Sequence, residues 1–248
     1  MKLTIITVVY NNIKTLEDSI NSIISQTYFD KIQYIVIDGG STDGTLELLQ
    51  KYSKYIDILI SEKDNGIYDA MNKGISLASG DVVGLLNSDD VYFNPEIISS
   101  VMSKFYNNNL DILYGDLVYV KRDDINKVVR TWKSTNYYDS FFEDGNVPPH
   151  PTLFIKKHVY NIVGNFNLDF KLAADYEFML RVFKKYNFNI LYFPHIIVRM
   201  RLGGTTNKNL INILKGNFEI FDAWKHNSYI VPQGLFFKRF IKRLIQFF

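Results

Sequence analysis

Apolar and polar positions follow two alternating rhythms along the first half of the chain. Leu3-Thr4-Ile5-Ile6-Thr7-Val8-Val9-Tyr10 is a β-branched run without a charged face, which predicts a strand buried on both sides. From Thr15 to Gln26 the period changes, with Leu16, Ile20, Ile23 and Ile24 on one side, and a helix is predicted. Tyr34 to Ile37 predicts a second strand, closed by Asp38-Gly39-Gly40, after which Ser41 is expected to cap a helix through about Tyr52. Ile56 to Ile60 reads as a third strand, Tyr68 to Ala78 as a helix ended by Gly80, and Val82 to Leu86 as a fourth strand. Strand and helix units at this spacing need crossover connections. They predict an α/β fold with a mostly parallel central sheet and helices on both faces.

The second half is less regular. Asp111 to Lys121 and segments of Ile190 to Arg201 around Pro194 suit strands, Val147 to Thr152 a Pro-rich loop, and Asp175 to Tyr186 a helix. No linker-like stretch or repeat separates the halves, so residues 1–230 are expected to form one domain. The last segment, 231–248, differs. Placed on a helix, Phe236, Phe237, Phe240, Ile241, Leu244, Ile245, Phe247 and Phe248 occupy one half of the wheel, and Lys238, Arg239, Lys242, Arg243 and Gln246 the other. Such a basic amphipathic helix suits an anionic membrane interface, with a terminal helix docked on the body as the alternative.

Charge and composition narrow the function. The 248 residues carry 28 Lys+Arg against 26 Asp+Glu, and a net charge of +2 argues against nucleic acid as the main partner. There is no cysteine, which excludes disulfides, thiolate metal sites and cysteine nucleophiles, fits a reducing compartment and leaves oxygen or imidazole for any metal. No apolar run is long enough to span a bilayer, and the N-terminus lacks a cleavage site of small residues, so a cytoplasmic protein is expected.

In an open parallel sheet, ligands bind outside the carboxyl ends of the strands. Here those ends carry Tyr10-Asn11-Asn12, Asp38-Gly39-Gly40-Ser41, Glu62-Lys63-Asp64-Asn65-Gly66 and Asn87-Ser88-Asp89-Asp90. Asp89 and Asp90 repel each other and lack a sequence-local cation. A divalent ion shared with substrate phosphates would relieve that repulsion; a helix start near Pro95 is the alternative use of the pair. Neither a P-loop nor a dinucleotide Gly fingerprint follows any strand, so phosphates are expected to be held by the metal.

The ordered set Thr4 to Asn11, Val36 to Thr45, Asp64 to Gly74 and Leu86 to Asp90 resembles family 2 glycosyltransferases of the GT-A fold, more narrowly those of bacterial surface-polysaccharide biosynthesis. The resemblance runs over about the first 95 residues and resumes around 148 to 181. It implies a nucleotide-sugar-binding half at 1–95 and an acceptor half at 96–230. By the same resemblance Val9, Tyr10, Asn11 and Asp38 would meet the base and ribose of a nucleotide-diphosphate sugar. Asp64, Asn65, Gly66, Asn72 and Lys73 would line the pocket, with Asn87 and Ser88 beside it, and Asp89 and Asp90 would hold manganese or magnesium. The first acidic position of the family's metal motif is Asn87 here.

The family's late acid matches Leu172-Ala173-Ala174-Asp175-Tyr176-Glu177, where Asp175 would deprotonate the acceptor hydroxyl in an inverting displacement; a simple helix cap is the alternative. His150, between prolines, is either an acceptor or diphosphate contact or a loop-packing residue. The implied acceptor is a glycan, lipid-linked in many such pathways, so Phe236, Phe237, Lys238, Arg239, Phe240, Lys242 and Arg243 would bring a peripheral enzyme to the inner face of the membrane. A non-catalytic nucleotide-sugar binder and a nucleotidyltransferase are the competing readings; the second lacks the Gly-rich basic loop it needs after Val9.

Overall fold

A computed structural model describes residues 1–203 and 210–247. The chain runs β1 (Leu3–Val9), α1 (Ile13–Ile24), β2 (Ile32–Asp38), α2 (Thr45–Lys51), β3 (Ile58–Ser61), α3 (Ile67–Leu77), β4 (Val82–Leu85), β5 (Val91–Tyr92) and α4 (Ile97–Asn107). It continues through β6 (Ile112–Val120), β7 (Val128–Trp132), β8 (Phe154–Lys156), α5 (Lys157–Val163), α6 (Ala174–Lys185), β9 (Ile190–Arg201), α7 (Leu210–His226) and α8 (Leu235–Ile245).

One sheet organises these elements, in the order β3-β2-β1-β4-β8-β6-β9-β5, with β7 paired to β6. The first four strands are parallel, as the alternating rhythm predicts. Beyond them the sheet is mixed: β8 inserts antiparallel between β4 and β6, β9 runs parallel to β6, and β5 closes the far edge antiparallel to β9. The expectation of a mostly parallel sheet therefore holds for the first half and is corrected for the second. The cause is long-range, since β8 comes from a later stretch that no local pattern ties to β4.

Strands β1 and β2 are buried along their whole length, and alternate residues serve opposite faces. Ile6, Val8, Ile35 and Ile37 join α3 and α6 in one core; Leu3, Ile5, Val9 and Tyr34 join α1 and α4 in the other. Close contact is needed where α3 returns to β1. A Cβ on Gly80 would lie 2.6 Å from the Thr4 backbone nitrogen, and Gly80 N–H donates to Thr4 Oγ1 at 2.9 Å. The contact is with backbone, which cannot swing aside. Gly80→Ala is expected to lower stability by about 1–3 kcal/mol, read as a lower urea midpoint at unchanged slope; an unchanged midpoint would mean that the turn relaxes freely.

Two boundaries differ from expectation. The helix after β2 starts at Thr45, behind Gly44 at φ 94°, and Ser41 does not cap it. Ser41 instead donates through N–H and Oγ to Asp38, which pins the loop. Helix α8 ends at Ile245, and Phe248 lies outside the described residues.

Candidate active site

The carboxyl ends of β1 and β4 open onto a cleft of about 990 Å³, closed on the other side by the His150 loop, the start of α6, and the inner faces of α7 and α8. Of the residues singled out from sequence, Val9, Tyr10, Asn11, Asp64, Gly66, Asn87, Ser88, Asp89, His150 and Asp175 line it. At one end Tyr10 stands 64% exposed. Asn11 takes a left-handed φ of 47°, fixed because its N–H donates to Ser41 Oγ and its Oδ1 accepts from Thr42 N–H, both at 2.8 Å. Gly39 leaves room for the neighbouring wall, since a Cβ there would sit 2.6 Å from an Asp64 carboxylate oxygen.

Five predicted contacts do not reach the cleft. Asp38 is fully buried and accepts hydrogen bonds from Ser41 and Ser61, so it braces the loop from below. Asn65 turns to its own helix start, its N–H donating to Asp69 Oδ2 at 3.0 Å. Asn72 turns to the far side of α3, where its side chain accepts from Phe166 N–H and donates to Phe166 O. Lys73 pairs with Glu62 at 2.9 Å and with Asp69 on the surface. Asp90 is the fifth. It is buried beneath the strand end, where Oδ1 accepts from Arg201 N–H and Oδ2 from the Asn87 side chain, both at 3.1 Å. Burial and the neighbouring Asp89 charge push its pKa up to about 8.

Asp89 alone of the pair faces the cleft, beside Arg122 at 3.7 Å. Arg201 locks this corner: its guanidinium donates to Asp89 O, Arg122 O and Asp18 Oδ2. Neither arginine was singled out from sequence, although Arg199-Met200-Arg201 at the end of an apolar strand is the same kind of signal as the four acidic strand ends. Among the described residues there is no group of three or more His, Asp or Glu side chains able to cage a metal. A single half-buried carboxylate that shares an ion with substrate phosphates is nevertheless a donor set magnesium and manganese accept.

Across the cleft, Asp175 lies in the first turn of α6. The backbone N–H groups of Leu172 and Ala173 just before it donate to Glu219 Oε2 of α7, both at 2.8 Å, which fixes where the helix begins. Tyr68 OH donates to Asp175 Oδ1 at 2.9 Å and is the orienting residue that sequence reading missed. Burial, with the adjacent Asp175 charge, holds the Tyr68 phenol protonated well above its ordinary pKa. His150 packs edge-on to Phe166, and burial pushes its pKa below the ordinary range against the pull of Asp175, so the ring is neutral at pH 7.

Helix α8 docks with Lys238 and Arg239 turned toward the protein. Lys238 pairs with Asp144 at 3.1 Å, and the Arg239 guanidinium lies over the Tyr176 ring at 4.8 Å and lines the cleft. Those two basic residues are therefore engaged with the protein. Lys242 and Arg243 border a second cavity, whereas Phe236, Phe237 and Phe240 point outward.

Residues 4–164 match the family described as glycosyl transferase family 2. An uncharacterized glycosyltransferase of Mycobacterium tuberculosis is 32% identical over 188 residues, covering 72% of this chain and 67% of that protein. In structure, residues 1–349 of S. aureus TarS in complex with UDP-GlcNAc align with a TM-score of 0.68 at 17% identity, over 100% of this chain and 78% of that one. A longer TarS chain is covered over 37% of its length. The mannosyltransferase PcManGT from Pyrobaculum calidifontis, in complex with GDP-Man and Mn2+, aligns at 0.66 and 15% identity, over 98% and 73%. These likenesses place the fold in the GT-A class. The matched stretch contains the ends of β1, β3 and β4 that face the cleft, and the chain belongs to glycosyl transferase family 2.

Proposed function

We propose that the protein moves a sugar from a nucleotide-diphosphate donor to a hydroxyl of a glycan acceptor, with inversion at the anomeric carbon. The observation that carries this reading is Asp175. It projects into the cleft opposite the strand ends, oriented by Tyr68, as a base facing a donor must be.

Tyr10 and Asn11 would meet the base and ribose, with Val9, Asp64, Gly66, Asn87 and Ser88 completing the wall. Asp38 acts indirectly by holding the loop. Asp89 would hold a magnesium or manganese ion together with the donor phosphates, and Arg122 beside it suits the same oxygens. When bound there, the ion offsets the negative charge that builds on the departing diphosphate. Asp175 takes the acceptor proton as the new C–O bond forms and the bond to the diphosphate breaks. The complexes of the structural neighbours, one with UDP-GlcNAc and one with GDP-Man and Mn2+, support a nucleotide-sugar donor and a divalent ion.

A lipid-linked acceptor of surface-polysaccharide biosynthesis is the acceptor class that best accounts for the outer faces of α7 and α8. Phe218 is 70% and Phe237 69% exposed, with Ile211, Leu214, Phe240, Ile245 and Phe247 also exposed. Helices carrying this much uncovered apolar surface suit the interface of an anionic membrane. Among the described residues no helix is long and apolar enough to cross one.

The test is a panel of UDP, GDP, CDP and dTDP sugars, with and without manganese, read by thermal shift and by NMR of the product. One nucleotide class is expected to stabilise the fold only with metal and to give product of inverted configuration. Retained configuration would overturn the role of Asp175, and silence across the panel would overturn the donor site.

A further inference from the structure

Between β7 and α8 a second cavity of about 630 Å³ opens off the cleft. The two share Tyr119, Trp132, Val147, Arg239 and Arg243, yet none of Tyr10, Asn11, Asp64 or Asp89 borders the second one. Its wall carries Arg130, Lys133, Arg239, Lys242 and Arg243 and, among the described residues, no carboxylate. That is a local concentration of positive charge in a chain whose net charge is only +2. Glu143 and Asp144, on the loop leading to Gly145, pair with Lys184 and Lys238, and neither borders the cavity, although Glu143 Oε2 is itself buried without a partner.

The arginines are held in place but not satisfied. Arg130 lies over the Tyr119 ring at 3.7 Å, with Phe247 at 5.4 Å, and Tyr119 itself stacks with Trp132 at an interplanar angle of 4°. Gly145 lets α8 approach, since a Cβ there would lie 2.8 Å from Arg239 N. Arg130 Nε and Arg239 Nη1 are both buried without a hydrogen-bond partner. Burial, and after it the charge of Arg243, pulls both guanidinium groups below their ordinary pKa. Unpaired guanidinium donors, crowded together in a pocket free of acids, match the oxygens of a phosphoryl group.

We propose that the pocket between β7 and α8 is a phosphate-binding site, in which Arg130, Arg239 and Arg243 hold a phosphate or diphosphate group carried by the acceptor. None of the proposed nucleotide and metal contacts Tyr10, Asn11, Asp64 and Asp89 borders it, so the group it holds is assigned to the acceptor and not to the donor. Only the word acceptor rests on the transfer reading; the anion site stands on the pocket itself.

The test is calorimetric titration of the full chain with pyrophosphate in EDTA, for wild type and for the Arg130→Gln/Arg243→Gln double variant, with nucleoside diphosphate binding in manganese as the parallel measurement. Pyrophosphate affinity is expected to fall about tenfold or more in the double variant, with nucleotide affinity unchanged. Arg243 is exposed, so Arg243→Gln alone provides a weakened variant that keeps its fold if the double variant does not. Absent pyrophosphate binding, or binding that the variants leave unchanged, overturns the proposal. Loss of nucleotide binding in the wild type would count against the transfer reading and not against this pocket. Two further arms identify the source of the phosphate, phosphatidylglycerol vesicles and a soluble glycerol phosphate polymer. Weakened binding of the variant to the vesicles assigns a lipid phosphate, and weakened binding to the polymer a soluble one. A variant that binds both as well as wild type overturns the site.

Discussion

Asp175→Asn is expected to remove about 10²- to 10⁴-fold of the transfer rate and to leave donor affinity unchanged. The substitution preserves shape, and the Tyr68 hydroxyl still finds an oxygen to donate to, so the start of α6 stays where Leu172 and Ala173 anchor it on Glu219. What is lost is the ability to take a proton, which is needed only as the acceptor oxygen attacks. The proposed donor contacts, Tyr10, Asn11 and Asp89, lie across the cleft from Asp175. Single-turnover rates together with calorimetry of the nucleotide separate the two effects. A parallel loss of binding and rate would mean that Asp175 holds the fold of the cleft and does not act as the base.

The largest expected effect on stability is at Arg181. Its Nε and Nη2 donate to the two oxygens of Glu177 at 2.9 Å each, and its Nη1 and Nη2 also reach Val163 O and Asn165 O. Glu177 is fully buried, and among the described residues its one other donor is the Asn227 side chain at 3.1 Å. Arg181→Ala leaves that carboxylate without its cation, and the penalty for an uncompensated buried charge is about 3–5 kcal/mol. For a chain of this size the melting temperature should fall by roughly 6–20 °C. Adding Glu177→Gln to Arg181→Ala removes the stranded charge and should recover part of the loss. If Arg181→Ala melts within a degree or two of wild type, water reaches Glu177 and the pair contributes little.

Sequence made the strand-end side of the cleft legible because each strand end is a local event: an apolar run stops and polar or Gly residues follow. Tyr10, Asn11, Asp64, Asn87 and Asp89 all reach the cleft for that reason. Orientation was harder to read than position. Asp89 and Asp90 are neighbours that point to opposite sides of the strand end, and no sequence pattern says which of them faces the ligand. Asn72 and Lys73 sit one helical phase away from the wall formed by Ala70 and Met71. The α8 wheel separates basic from aromatic halves correctly, yet the wheel alone leaves open which half meets the body of the protein. Here Tyr176 and Asp144 draw the basic half inward. Tyr68 meeting Asp175 is a contact across the fold and has no local signal at all.

The insertion of β8 beside β4 has a consequence for how the chain comes off the ribosome. Until Phe154 to Lys156 have emerged, Val82 to Leu85 form the bare margin of a four-stranded sheet, apolar on both faces and with half of their ladder unpaired. The segment that will cover this margin is synthesised only after α4, β6 and β7, so the nascent N-terminal half waits as an open template for pairing with other chains. The N-terminal half is therefore expected not to fold on its own. A cut near residue 95 would leave a sheet missing its neighbour, and chaperone demand during translation should peak before β8 appears and drop once it docks.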